Sequence, residues 1–196
     1  MMEPTRMLVA GIVLLLAGCG SSPPVRFYSL QPLDLDYQAD TNDAVVMYLG
    51  PLRVPEYVAR TQIVTRGDGA EMIVDDYHRW AEPLDDAIPR IVAVNVDNLV
   101  DGVIVVAFPS GNLVEADYRL QGSIVRFDAD AAGRALLIVQ WSIATPGGDL
   151  LVPPRRSRYE ARVLRTGDPG AVATALNDTV AQFSRAIAAE IEAKLE

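Results

Sequence analysis

One cysteine, one histidine and one lysine stand in a chain of 196 residues. With Cys19 alone, neither an intrachain disulfide nor a thiolate metal cluster is available. With His78 alone, the histidine pairs and triads behind most nucleophile and metal chemistry are also missing. No Gly-x-Ser-x-Gly elbow, phosphate loop or dinucleotide fingerprint occurs. Positive charge is scarce: 17 Lys and Arg against 26 Asp and Glu leave a net charge of −9. Removing the first 18 residues does not change it, because Glu3 and Arg6 leave together. Nucleic acid is a poor partner for such a chain, and so is an anionic lipid surface approached by electrostatics alone. No cofactor and no metal site are expected, and nothing in the sequence points to an enzyme.

A long hydrophobic run is also missing. Met7–Ala17 is apolar and uncharged, but a bilayer span needs about 20 residues. With Arg6 before it, the run has the form of a secretory leader. It ends in Leu16-Ala17-Gly18-Cys19, which resembles the bacterial lipobox. Small residues fit the narrow cleft of a signal peptidase, and the cysteine thiol is the nucleophile that takes a diacylglyceryl group. Cleavage before Cys19 and acylation of it are therefore expected, giving membrane lipid as the first partner. Residues 1–18 are read as the signal peptide, 19–26 as a lipidated tether and 27–196 as one domain. Two or more acyl chains hold stably at about 0.8 kcal/mol per buried methylene. Gly20 stands where enterobacterial lipoproteins kept in the inner membrane carry Asp. The expected place is thus the periplasmic face of the outer membrane.

The remaining pattern predicts an α+β fold: a mostly antiparallel or mixed sheet with one mid-chain helix and a C-terminal amphipathic helix packed on one face. Strands are expected at 25–30, 44–54, 61–66, 70–79, 103–108, 117–128, 134–144 and 150–165. Residues 31–43 read as a polar surface loop, and 55–59 as one helical turn opened by Pro55. Gly50-Pro51 suggests an edge or a bulge, Gly122 a bulge, and 103–108 a buried strand. Gly67-Asp68-Gly69 predicts a hairpin; Asp130–Gly133 and Pro146–Asp149 predict turns. In 134–144, Ala135, Leu137, Val139, Trp141 and Ile143 share a face. The mid-chain helix, 84–100, places Leu84, Ile88, Val92, Val96 and Leu99 together, with Asp85 or Asp86 as its cap. The last helix starts with Asp168 as cap and Pro169 as first residue. Val172, Leu176, Val180, Phe183, Ile187, Ile191 and Leu195 then form one stripe.

Among the polar residues, His78 reads as a strand histidine without a special task. Asp75 and Asp76 point to opposite faces of a strand, so they make no acid–base dyad. Asp85 and Asp86 suit a helix start. Arg155, Arg156, Arg158, Arg162 and Arg165 form the one basic concentration. It reads as a solvated face that blunts a sheet edge, or as a docking face for an acidic partner.

Several segments together resemble the ABC-type transport auxiliary lipoproteins, the PqiC/YmbA-like family. They are the lipobox, Phe27–Leu30, Gly50–Arg60, Arg79–Leu84, Gln140-Trp141 and the C-terminal helix. The resemblance implies an α+β fold and a non-enzymatic subunit of a system moving lipid between the two membranes. It implies an MCE-domain protein and its associated transport membrane proteins as partners, with docking at the outer membrane. Arg53, Tyr57, Arg60, Arg79 and Trp80, with Arg156, Arg158 and Arg162, are the candidate docking residues; Arg53–Arg60 and Arg79–Leu84 read more readily as a conformational signature, since Gly50, Pro51, Pro55 and Pro83 each fix a turn or strand end. Self-association is left open. The rival reading is an assembly factor or plug for an outer-membrane protein.

Overall fold

The computed structural model describes residues 23–34, 44–108 and 115–195. Cys19, the expected leader, most of the loop expected at 31–43 and the Leu195 side chain fall outside the described residues. Eight strands form one mixed sheet: β1 (Arg26–Tyr28), β2 (Val45–Arg53), β3 (Gln62–Arg66), β4 (Met72–Trp80), β5 (Val103–Ala107), β6 (Tyr118–Asp130), β7 (Arg134–Ala144) and β8 (Leu150–Arg162). Helix α1 spans Leu84–Leu99, between β4 and β5, and α2 spans Pro169–Leu195. The α+β architecture expected from the sequence is the one found.

The long strand β6 organises the sheet. One edge pairs along its length with β7 in antiparallel fashion, and β7 pairs onward with β8. The other edge is shared: β2 runs parallel to its first half, and β3 parallel to its last two residues. Outside β2 lies β5, and outside β3 lie β4 and then β1.

Two bulges shape this centre. On β2, Leu49 pairs with Leu120 but Leu52 pairs with Gly122, so Gly50-Pro51 holds the extra residue. On β6, Ile124 pairs with Val139 and Arg126 with Ile138, so Val125 is the extra residue. The consequence is the same in both strands. Leu49 and Leu52, and likewise Ile124 and Phe127, are three apart yet all buried in the core. The bulge expected at Gly122 therefore sits at Val125. Gly122 has another role, close approach: a Cβ there would lie 2.6 Å from the Gln140 carbonyl oxygen and 3.1 Å from Leu52 Cδ2. Gly122→Ala is expected to cost about 1–3 kcal/mol, read as a lower denaturation midpoint at unchanged m-value.

Both helices cover one face. The alternation in β7 buries Ala135, Leu137, Val139, Trp141 and Ile143 beneath α2, whose stripe from Val172 to Ile191 is buried in return. Asp168 caps α2: its Oδ1 accepts the Gly170 N–H at 2.9 Å. For α1 the capping expectation is corrected. Its N-cap is Pro83, which makes no side-chain cap bond, and Asp85 and Asp86 lie inside the first turn. There they oppose the helix dipole rather than accept a terminal N–H. The helices meet through a buried polar pair: Asn95 Nδ2 donates to Ser184 Oγ at 3.1 Å, and Asn95 Oδ1 accepts the Leu33 N–H at 2.7 Å. Residues 31–33 are thus pinned across the helices, because Gln31 N–H also donates to Asn177 Oδ1.

Strand β5 is an edge strand, not the buried one expected, and only Val103 is fully buried in it. Asp97 of α1 closes part of that edge by accepting the Val105 N–H at 3.0 Å. An uncharged Val-Ile-Val-Val edge invites pairing with another chain. Asp97→Ala is therefore expected to raise aggregation on mild heating, measured by light scattering, while Asp97→Asn keeps the acceptor and stays near wild type.

Candidate docking face

Among the described residues, no helix covers the face of the β2–β6–β7–β8 sheet opposite α1 and α2. Strand alternation sends Trp141, Tyr159 and Arg155 toward α2, where Trp141 and Tyr159 pack on Phe183 and Arg155 pairs with Glu190 at 2.8 Å. Their neighbours Gln140, Arg156 and Arg158 therefore point the other way. Register then lines up one cross-sheet row: Arg53 on β2, Ser123 on β6, Gln140 on β7 and Arg156 on β8. Ser123, Gln140 and Arg156 of this row line an open concavity of about 650 Å³, whose walls also include Pro51, Gln121, Ser142 and Pro154; Arg53 ends the row beside it, two residues beyond Pro51.

Farther along the same face, Arg126, Ile138 and Arg158 form a second row, and Asp130, Arg134 and Arg162 a later one. Each carboxylate here is already engaged. Asp130 is paired with Arg134 at 2.7 Å, and Glu160 with Arg158 at 2.8 Å. Burial alone would raise the Asp130 carboxyl, but hydrogen bonds from the Arg134 backbone and side chain hold it below its usual value. Arg53, Arg156 and Arg162 are exposed and form no ion pair among the described residues. An acidic protein thus presents a cationic, hydrogen-bonding surface on the sheet face away from its helices.

Asp128 lies fully buried between these rows. Its carboxylate accepts Tyr57 Oη–H at 2.6 Å, Arg66 Nη2 at 3.1 Å, and Arg126 at Nε (2.9 Å) and Nη2 (2.7 Å). Tyr57 Oη in turn accepts the Phe127 N–H at 3.2 Å. The turn opened by Pro55 delivers this tyrosine, with Ala59 N–H bonded to the Pro55 carbonyl.

The expected docking residues therefore divide. Arg53, Arg156, Arg158 and Arg162 share one face. Arg60 is exposed on the segment after the turn. Arg79 is half-buried on β4, donating from Nε to the Asp76 carbonyl. Tyr57 is a structural pin. Trp80 is corrected to a core position: it is 3 % exposed and packs near Phe127. Ser123 and Asp128 escaped sequence reading, and Gln140 figures there only in the family resemblance, since a strand serine, glutamine or aspartate gives no local sign of its neighbours.

His78 lies on β4, where Asp76–His78 bulge out of the pairing with β3. Asp75 holds that bulge: Oδ1 accepts the Tyr77 and His78 N–H groups, and Oδ2 lies 3.0 Å from His78 Nδ1. Burial would raise the Asp75 carboxyl; the hydrogen bonds from His78 and Tyr77 outweigh it and lower it. Among the described residues no three His, Cys, Asp or Glu side chains gather as metal ligands, and no helix is long and apolar enough to cross a membrane.

A family model described as ABC-type transport auxiliary lipoprotein component matches residues 28–188, nearly the whole sheet and both helices. The chain belongs to this family. It is 23% identical over 153 residues to the intermembrane transport lipoprotein PqiC of Escherichia coli, covering 77% of this chain and 80% of that one. The same identity and coverage hold for PqiC of Shigella flexneri. The fold also matches a crystal structure of an uncharacterised protein, with a TM-score of 0.72 at 19% identity, covering 86% of this chain and 99% of that one. A Xanthomonas campestris protein gives 0.67 at 17%, covering 84% and 93%. Within the family match, Gly50–Arg60 supplies the β2 bulge and the Tyr57 pin, and Arg79–Leu84 supplies a core tryptophan and the α1 N-cap. Those segments mainly build the domain.

Proposed function

We propose that this chain is a lipid-anchored periplasmic lipoprotein, acylated on Cys19. In this reading it serves as a non-enzymatic auxiliary subunit of an MCE-type intermembrane lipid-transport system and docks that assembly at the outer membrane. The family match over residues 28–188 carries the reading. The lipobox Leu16–Cys19 supports the anchor, and the curated relatives named for intermembrane transport support the system. Partner contact falls to Arg53, Arg156, Arg158 and Arg162 on the uncovered sheet face, with Arg60 and Arg79 outside it.

Two measurements test this. Metabolic labelling with a fatty-acid analogue, followed by membrane fractionation, should find label on the wild-type chain in the outer membrane and none on Cys19→Ser. Mild crosslinking in native membranes should recover an MCE-domain protein. Recovery of an outer-membrane β-barrel instead would favour the assembly-factor reading, and recovery of the lipoprotein alone would count against transport.

A further inference from the structure

We infer that the concavity lined by Ser123, Gln140 and Arg156, with Arg53 beside it at the far end of the same row, is a seat for an extended acidic segment of a partner protein, lying across the strands. This rests on the reading above that the chain works by docking, and it names the docking surface and its ligand chemistry.

Four observations converge. The chain is strongly acidic overall, yet this face carries unpaired arginines, so its local field opposes the molecule's net charge. The row is fixed by strand register rather than by mobile loops, so the backbone positions that bear its two arginines keep a set separation. Three interstrand spacings put the strands bearing Arg53 and Arg156 about 14 Å apart. An extended chain rises about 3.4 Å per residue, so carboxylates about four residues apart would reach both arginines. Between them Ser123 and Gln140 offer hydrogen bonds to a backbone, not charge.

The hollow is open and shallow, which suits a chain laid over it more than an enclosed small anion. Pro153 and Pro154 interrupt the β7–β8 pairing at one wall, where the register shifts between Trp141 and Ile143. Proline there keeps the β8 edge from recruiting a strand of its own. An incoming segment is therefore held by side chains on the face, not by edge pairing.

The test uses the full lipoprotein in neutral-lipid nanodiscs and a labelled peptide of uncharged, extended-favouring residues carrying two glutamates four apart. Binding by fluorescence anisotropy should weaken as salt is raised. The double charge reversal Arg53→Glu with Arg156→Glu should lose about tenfold or more in affinity. It should also gain binding to the matching lysine peptide, and a cooperative urea transition near wild type shows that the reversed variant is folded. Arg26→Glu with Arg185→Glu, the same change of net charge on other surfaces, should leave binding near wild type. No preference for the glutamate peptide over an uncharged one, or equal loss in both reversed variants, would overturn the inference. So would flotation with phosphatidylglycerol vesicles that depends on Arg53 and Arg156 without peptide binding, since the face would then read anionic lipid.

The two proposals fail separately. If the Arg53/Arg156 reversal leaves partner crosslinking in native membranes intact, the transport role stands and this docking face falls. If the wild-type chain captures no MCE-domain partner, the transport role falls, while the peptide result still decides what the face binds.

Discussion

Asp128→Ala is expected to destabilise the domain by about 3 kcal/mol, or roughly 10 °C in Tm. The carboxylate is completely buried, with two arginines and one tyrosine hydroxyl directed at it. Removing it leaves those donors facing one another. Truncating one partner of a buried pair costs about 3–5 kcal/mol, because the remaining charge stays uncompensated. The lower end applies here, since the Arg66 and Arg126 side chains are 31% and 24% exposed and can turn to water. Tyr57→Phe removes one donor and one acceptor from the same knot and should cost about 1–2 kcal/mol. The tyrosine also sets a pH response. Burial first, and then its hydrogen bond to Asp128, push the phenol from 10.0 up to about 12. The neutral phenol is favoured by the fold, so its contribution is intact below pH 10.0 and is lost as pH climbs toward 12. Burial raises the Tyr159 phenol as well, so alkaline difference absorbance should find two tyrosines ionising late, one of them lost in Tyr57→Phe, with chemical denaturation weakening over the same interval.

Phe183→Ala is expected to cost about 4 kcal/mol. Phe183 is 0% exposed and is the hinge of an aromatic cluster beneath α2. Its ring meets Trp141 edge-on at 5.6 Å and Tyr159 at 5.7 Å. Both partners have their own tethers, which limit collapse into a cavity. Trp141 Nε1 donates to Ser157 Oγ at 3.0 Å, and Arg155 lies over its ring at 4.5 Å. A site that cannot relax retains the full cavity cost. Phe183→Leu, which keeps most of the volume, should cost less than half as much. Urea denaturation of the two variants separates a cavity effect from a change of surface exposure.

The two helices show why some of this architecture could be read directly. The α2 stripe and its Asp168 cap are local: a 3.6-residue period and one side chain bonding two residues ahead. The β7 alternation and the Gly67–Gly69 hairpin are local in the same way. The failures have a common origin too. Asp85 and Asp86 were natural caps by type, but α1 begins at Leu84, buried in the core, which puts the N-cap at Pro83, two residues before Asp85. Strand 103–108 looked buried because its residues are apolar, yet its place at the sheet edge depends on β2 choosing β6 as its other neighbour. Trp80 looked like a docking anchor by residue type, and only its packing near Phe127 puts it inside.

The candidate face was legible in part. The arginines of β8 stand together in sequence, and strand alternation by itself puts Arg156, Arg158 and Arg162 on the face opposite Arg155. Arg53 could not be joined to them by any spacing rule. It reaches the same row through β6 and β7, by hydrogen-bonded registers linking residues far apart in the chain.

By itself, the sequence determined the helices, most strand positions, the leader-like start with Cys19, and the family resemblance, because each is written in short-range periodicity or contiguous residues. Tertiary structure alone decided the strand order, the burial of Asp128 and Trp80, and the row from Arg53 to Arg156. The reason is physical: side-chain periodicity records which face of an element meets the core, whereas neighbours across a sheet are chosen by pairing and register between distant segments.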